Sequence, residues 1–105
     1  MDVKEFKEKL KEYHKEDIII TDHAGIQAMV RQIDEDEVIN NLLNPDKLVF
    51  VKEQESRDSD LRKYDCYFAY SKLFAHKYII TINRKIIIVT IIAINRDWQK
   101  ILEGK

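Results

Sequence analysis

The chain is expected to be an α+β domain, with two or three N-terminal helices packed on a four-stranded antiparallel sheet and a short C-terminal helix. Three observations predict this. Apolar residues recur at spacings of three and four up to Pro45 and mostly at spacings of two beyond it, so helix gives way to strand along the chain. Two glycines and one proline in 105 residues leave little material for long loops. The length suits one hydrophobic core, so residues 1–105 read as a single domain.

The elements follow in order. In DVKEFKEKLKEYH, Val3, Phe6, Leu10 and Tyr13 fall on one helical face and the rest is Lys and Glu, a charged amphipathic helix. DIIIT is short and β-branched, either a strand or an extended lead-in to the next helix. DHAGIQAMVRQI then places Ile26, Met29, Val30 and Ile33 in one arc, the expected buried face of a second helix. Asp34 and Glu37 have capping-box spacing and open a third helix with Val38, Ile39, Leu42 and Leu43 as its apolar side. Asn44-Pro45 stops it, because proline cannot continue a helix and the residue before it avoids helical geometry.

KLVFVKE reads as a strand, followed by the polar loop QESRDSD. LRKYDCYFAYSKLF alternates Tyr64, Cys66, Phe68, Tyr70 and Phe74 with charges mostly between them, a further strand. HKYIITI and IIIVTIIAI form a hairpin through Asn83-Arg84-Lys85, and the last strand, apolar on both faces, belongs in the sheet interior. DWQKILEGK supplies the closing helical turns.

Composition excludes several classes. With 45% apolar and 35% charged residues the chain is globular rather than disordered. Its longest apolar run, residues 86–94, is about half of what crosses a bilayer, so no membrane association is expected. One cysteine cannot form an internal disulfide, and the opening residues read as a charged helix rather than a basic-then-apolar leader, which together point to the cytoplasm. The Lys, Glu and Ile bias fits a heat-loving source or an AT-rich genome. Residues 1–60 carry a charge balance of −7 and residues 61–105 one of +6. Either the second part builds a basic face or the two parts neutralise each other by packing.

Gly-rich phosphate loops, G-x-S-x-G, cysteine pairs and H-E-x-x-H are absent from the sequence. Cys66, inside a strand pattern, reads as a small buried hydrophobe. His14, Asp17, Asp22 and His23 lie in charged stretches and read as solvated, so no metal site and no cofactor is expected. His23, Gln27 and Arg31 form a polar stripe along one flank of the second helix, at the border of its expected buried face. His23 is thus either a chemical group or the first turn of a helix capped by Thr21 or Asp22. Tyr64, Tyr67, Tyr70 and Tyr78 interleave with Arg62, Lys63, Lys72 and Lys77, which is either a base-stacking, phosphate-holding strand pair or a sheet with one core face and one solvated face. Arg96 follows the last strand, at a sheet end where ligand contacts are common.

ITDHAGIQAMVRQIDEDEVINNLLNP resembles the opening of small domains allied to BrnT toxins, the matching positions being His23, Ala24, Arg31, Ile33, Val38, Leu42 and Pro45. HKYIITINRKIIIVTIIAINRDWQKIL is similar to the end of RelE- and HigB-type toxins, where a hydrophobic strand finishes as Arg96-Asp97-Trp98 does here. The resemblance implies a RelE-like fold and a metal-independent endoribonuclease of a toxin–antitoxin system, in which the 2′-hydroxyl attacks the neighbouring phosphate. It implies His23 for proton transfer or phosphate positioning, with Arg31 and Arg96 for the developing charge. Arg62, Lys72, Lys77 and Tyr78 are the expected RNA contacts. The implied partners are an antitoxin protein and RNA. The alternative is a non-catalytic domain of the same fold that binds a protein or RNA. Its support is Gln27, where the group often has a second arginine, and a pI near 6.3.

Overall fold

A computed structural model of the protein describes residues 2–55 and 62–104. Its elements are α1 (Val3–Leu10), β1 (Ile18–Ile20), α2 (Asp22–Val30), α3 (Glu35–Leu43), β2 (Leu48–Gln54), β3 (Lys63–Ser71), β4 (Phe74–Ile82), β5 (Ile86–Ile94) and α4 (Trp98–Glu103). Single 3-10 turns at Lys15–Asp17 and Pro45–Lys47 lead into β1 and β2. Most of the polar loop expected before β3 lies outside the described residues.

The sheet has five strands in the order β1-β5-β4-β3-β2, one more than the sequence predicted. β2 to β5 form the expected antiparallel meander. The extra strand is Ile18–Ile20, which pairs in parallel with Ile86–Ile88 and makes the sheet mixed. A parallel partner requires a crossover, and α2 and α3 lie in the long path between the two strands. Three residues suffice because β5 is already held on its other side by β4.

Side chains alternate between the faces of a sheet. On one face Tyr64, Cys66, Phe68, Tyr78, Ile80, Ile86, Ile88 and Ile91 form the main core with Phe6 and Leu10 of α1 and Val38 and Leu42 of α3. Phe6 packs on Tyr64 and Phe68 on Tyr78, each pair with ring centroids 5.0 Å apart. Burial pushes the Cys66 thiol up, so it is inert. On the other face Tyr67, Ala75 and Ile94 form a smaller cluster with Phe50, Ile92 and the α4 residues Trp98, Ile101 and Leu102. Trp98 donates its indole N–H to the Ser71 carbonyl at 2.8 Å and ties α4 to the β3–β4 turn.

Two ion pairs, Arg62–Glu53 at 3.7 Å and Lys85–Asp17 at 3.6 Å, join the basic second part of the chain to its acidic first part. The Tyr13 hydroxyl donates to the Asn83 carbonyl at 2.8 Å and anchors the end of α1 to the β4–β5 hairpin.

Candidate functional site

Helix α2 departs most from what its sequence suggests. Thr21 caps it, accepting from the Ala24 N–H at 3.1 Å. The face turned to the sheet is not the apolar arc. Ala24 and Ala28 are buried, and their small side chains allow the helix to approach β5 closely. Beside them Gln27 is half-buried, and its Oε1 accepts from the Ile91 N–H at 2.8 Å. β1 ends at Ile20, so the β5 edge beyond it needs another hydrogen-bond partner, and this amide provides one. Ile26, Met29 and Val30, expected in the core, are 57%, 72% and 73% exposed.

The end of α2 explains why Ile33 is nonetheless buried. Gln32 adopts a left-handed φ of 57°. The Ile33 N–H returns to the Ala28 carbonyl at 2.8 Å and the Gln32 N–H to the Met29 carbonyl at 3.2 Å. This reversal swings Ile33 inward and leaves Met29 and Val30 outside. Beside the exposed arc runs a groove of about 460 Å³ lined by Ile20, Thr21, Asp22, Gly25, Ile26, Met29 and Glu35. A Cβ added at Gly25 would lie 3.6 Å from Glu35 Oε2, so the carboxylate lies directly over this part of α2.

The expected catalytic residues take different places. His23 lies exposed in the first turn of α2, and Arg31 lies exposed at its C-cap. Eight residues of helical rise put about 12 Å between them along the axis. Arg96 is exposed just past β5, before Asp97, which caps α4 by accepting from Gln99 and Lys100.

The expected RNA contacts are dispersed as well. Arg62 pairs with Glu53 at the opening of β3, whereas Lys72 is exposed in the β3–β4 turn at the other end. Lys72 and Arg96 share that end of the sheet, where Ala75 pairs with Ile94. Lys77 is largely buried, 3.8 Å from Asp65 and over the Tyr67 ring at 5.4 Å. Gln54 donates to the second oxygen of Asp65 at 2.6 Å. Tyr78 corrects the expectation of an RNA contact, because it is fully buried on the opposite face from Lys77.

Tyr78 belongs instead to a polar chain that sequence reading missed. Asn41 Nδ2 donates to the hydroxyls of Tyr70 at 2.8 Å and Tyr78 at 2.9 Å. Tyr70 donates to Glu37 Oε2 at 2.6 Å, and the Tyr78 hydroxyl lies 2.7 Å from His76 Nδ1. Glu37 is therefore committed to Tyr70, while Asp34 alone caps α3 by accepting from Asp36. The sequence held one signal: Asn41 follows Val38 by three on the apolar side of α3, and a polar core position demands partners. Burial, then the bond to Glu37, pushes Tyr70 up to about 12, and burial pushes Tyr78 up further. Neither hydroxyl supplies a base at neutral pH, so the chain positions α3 on the sheet.

Among the described residues no group of three or more His, Cys, Asp or Glu is placed to hold a metal ion. Asp17 accepts from the His14 N–H at 2.9 Å and pairs with Lys85. The His14 N–H holds its carboxyl below the usual range, with Lys85 adding to the effect. No described helix is long and apolar enough to cross a membrane. Comparison of the chain with protein-family models, curated proteins and solved structures gave no match.

Proposed function

We propose that this chain is a protein-binding domain of RelE-like type, acting in the cytoplasm through the outward face of α2. The observation that carries the reading is the exposure of Ile26, Met29 and Val30 on one helical face, at 57%, 72% and 73%. Such residues are ordinary singly, but grouped beside a groove and rimmed by charge they form a docking surface. The groove is lined by Asp22 and Glu35, and an RNA backbone would meet both carboxylates. A protein surface suits apolar residues with a polar rim. An antitoxin is the kind of partner the RelE-like resemblance implies. The test is covalent capture: a photo-crosslinking residue at position 29 traps a protein in cells, and one at the exposed Lys9 of α1 does not.

A metal-independent endoribonuclease is the second reading, favoured by the exposure of His23, Arg31 and Arg96. It predicts that the protein cleaves mixed RNA equally with and without EDTA and that His23→Ala abolishes cleavage. Intact RNA after incubation with wild type would rule this reading out.

A further inference from the structure

Resting on the reading of α2 as a protein-binding face, we infer that its occupant is a cationic amphipathic helix of a partner protein. That helix sets its apolar stripe on Ile26, Met29 and Val30 and a lysine or arginine between Asp22 and Glu35. Asp22, Gly25, Ile26 and Met29 recur at spacings of three and four, so they form one straight stripe along α2. All four line the groove of about 460 Å³, together with Ile20, Thr21 and Glu35. Its charged lining residues are the two carboxylates. Among the described residues neither Asp22 nor Glu35 has an ion-pair partner within the chain. Arg31 follows Gln27 by four residues, on the flank turned towards the sheet, and leaves the charge of the groove unbalanced.

The charge lies where a docked helix can reach it. Glu35 Oε2 lies 3.6 Å from where a Gly25 Cβ would stand, so the carboxylate sits beside bare backbone within the stripe. With no side chain at Gly25, a partner helix comes closer there than over Ile26 or Met29. Helical rise puts Asp22 about 4.5 Å before Gly25 along the axis and Met29 about 6 Å after it. A lysine or arginine one turn from the partner's own apolar residues therefore meets the acids while those residues cover Ile26 and Met29. Its aliphatic stem follows the apolar edge and its charged head reaches the carboxylates. Nucleic acid and an anionic membrane surface carry the wrong sign for this groove. An uncharged apolar helix would desolvate two carboxylates without pairing them. An apolar stripe flanked by cations satisfies both parts of the surface.

The test is fluorescence anisotropy of two labelled synthetic helices of about 16 residues, titrated with the purified chain. One carries leucine on one face and lysine on the other, and the second has glutamate in place of every lysine. The expected result is binding of the leucine–lysine helix about tenfold or more tighter than of its glutamate counterpart. Met29→Ser and Glu35→Lys, both at exposed positions, each weaken that binding by about tenfold. Glu8→Lys, the same charge change at an exposed position of α1, leaves it within about twofold. Glu35→Lys also gains affinity for the leucine–glutamate helix, which shows that the variant is folded. Equal binding of the two helices, binding of neither, or indifference to Glu35→Lys overturns the inference. Photo-crosslinking at position 29 in cells, with the trapped segment sequenced, separates that failure from failure of the docking reading. An adduct on a segment lacking lysine and arginine keeps the docking face and overturns the charge of its occupant. No adduct overturns both.

Discussion

The Tyr78 hydroxyl accepts from Asn41, so its own proton is directed to His76 Nδ1. This makes His76 an acceptor at Nδ1 and therefore neutral, and burial holds its pKa below the ordinary histidine value against the weaker pull of Glu37. Protonating the imidazole would turn that acceptor into a donor facing a hydroxyl that already receives one hydrogen bond. Because the folded pKa is depressed, the unfolded chain binds more protons as pH falls from about 6.5 towards the folded value, and stability drops across that window. Below the folded pKa this residue adds no further dependence. Urea unfolding at pH 7 and pH 5 should therefore show a pH-dependent loss in wild type that is smaller in His76→Phe. The variant should itself lose about 1–3 kcal/mol at pH 7, from the unsatisfied Tyr78 hydroxyl. Equal pH dependence in the two proteins would contradict the assignment. At this scale the sequence was legible in part. Strand alternation alone puts Lys77 and Tyr78 on opposite faces, whereas the pairing of Asn41 with two tyrosines depends on how α3 lies across the sheet.

Helix α2 shows why the period of an apolar pattern fixes an element but not which way it faces. The sequence marked the helix, its Thr21 or Asp22 start and its stripe of polar residues. It could not show that Ala24, Ala28 and Gln27 would be the inward set, because that depends on β5 having an open edge past the three residues of β1. The bond from Ile91 to Gln27 is the contact that orients the helix. Gln27→Leu leaves the Ile91 N–H without a partner and should destabilise the protein by about 1–3 kcal/mol. Amide exchange at Ile91 should accelerate in that variant more than at Ile86 or Ile88, where β1 covers the edge of β5. Gln27→Glu retains an acceptor and should keep Ile91 protected at neutral pH. Unchanged exchange at Ile91 in Gln27→Leu would show that the helix is held by packing alone.

Across the whole molecule, the α+β order, the antiparallel meander and the closing helix were readable because local periodicity and turn chemistry encode them. The parallel edge strand was not, since Ile18–Ile20 finds its partner nearly seventy residues away along the chain. Of the residues expected at the catalytic centre, His23 and Arg31 stand in the first turn and at the C-cap of α2 and Arg96 past β5, while the expected RNA contacts run from the opening of β3 to the β3–β4 turn, with Tyr78 inside the core. The feature that stands out on the described surface is the apolar face of α2 beside its acid-lined groove. Photo-crosslinking tests its role most directly, with the reactive residue placed at position 29 and, as a control, at position 9. The account predicts one dominant protein adduct from position 29, lost when Val30→Glu is added, and none from position 9. No protein adduct from position 29, or an adduct indifferent to Val30→Glu, would contradict it.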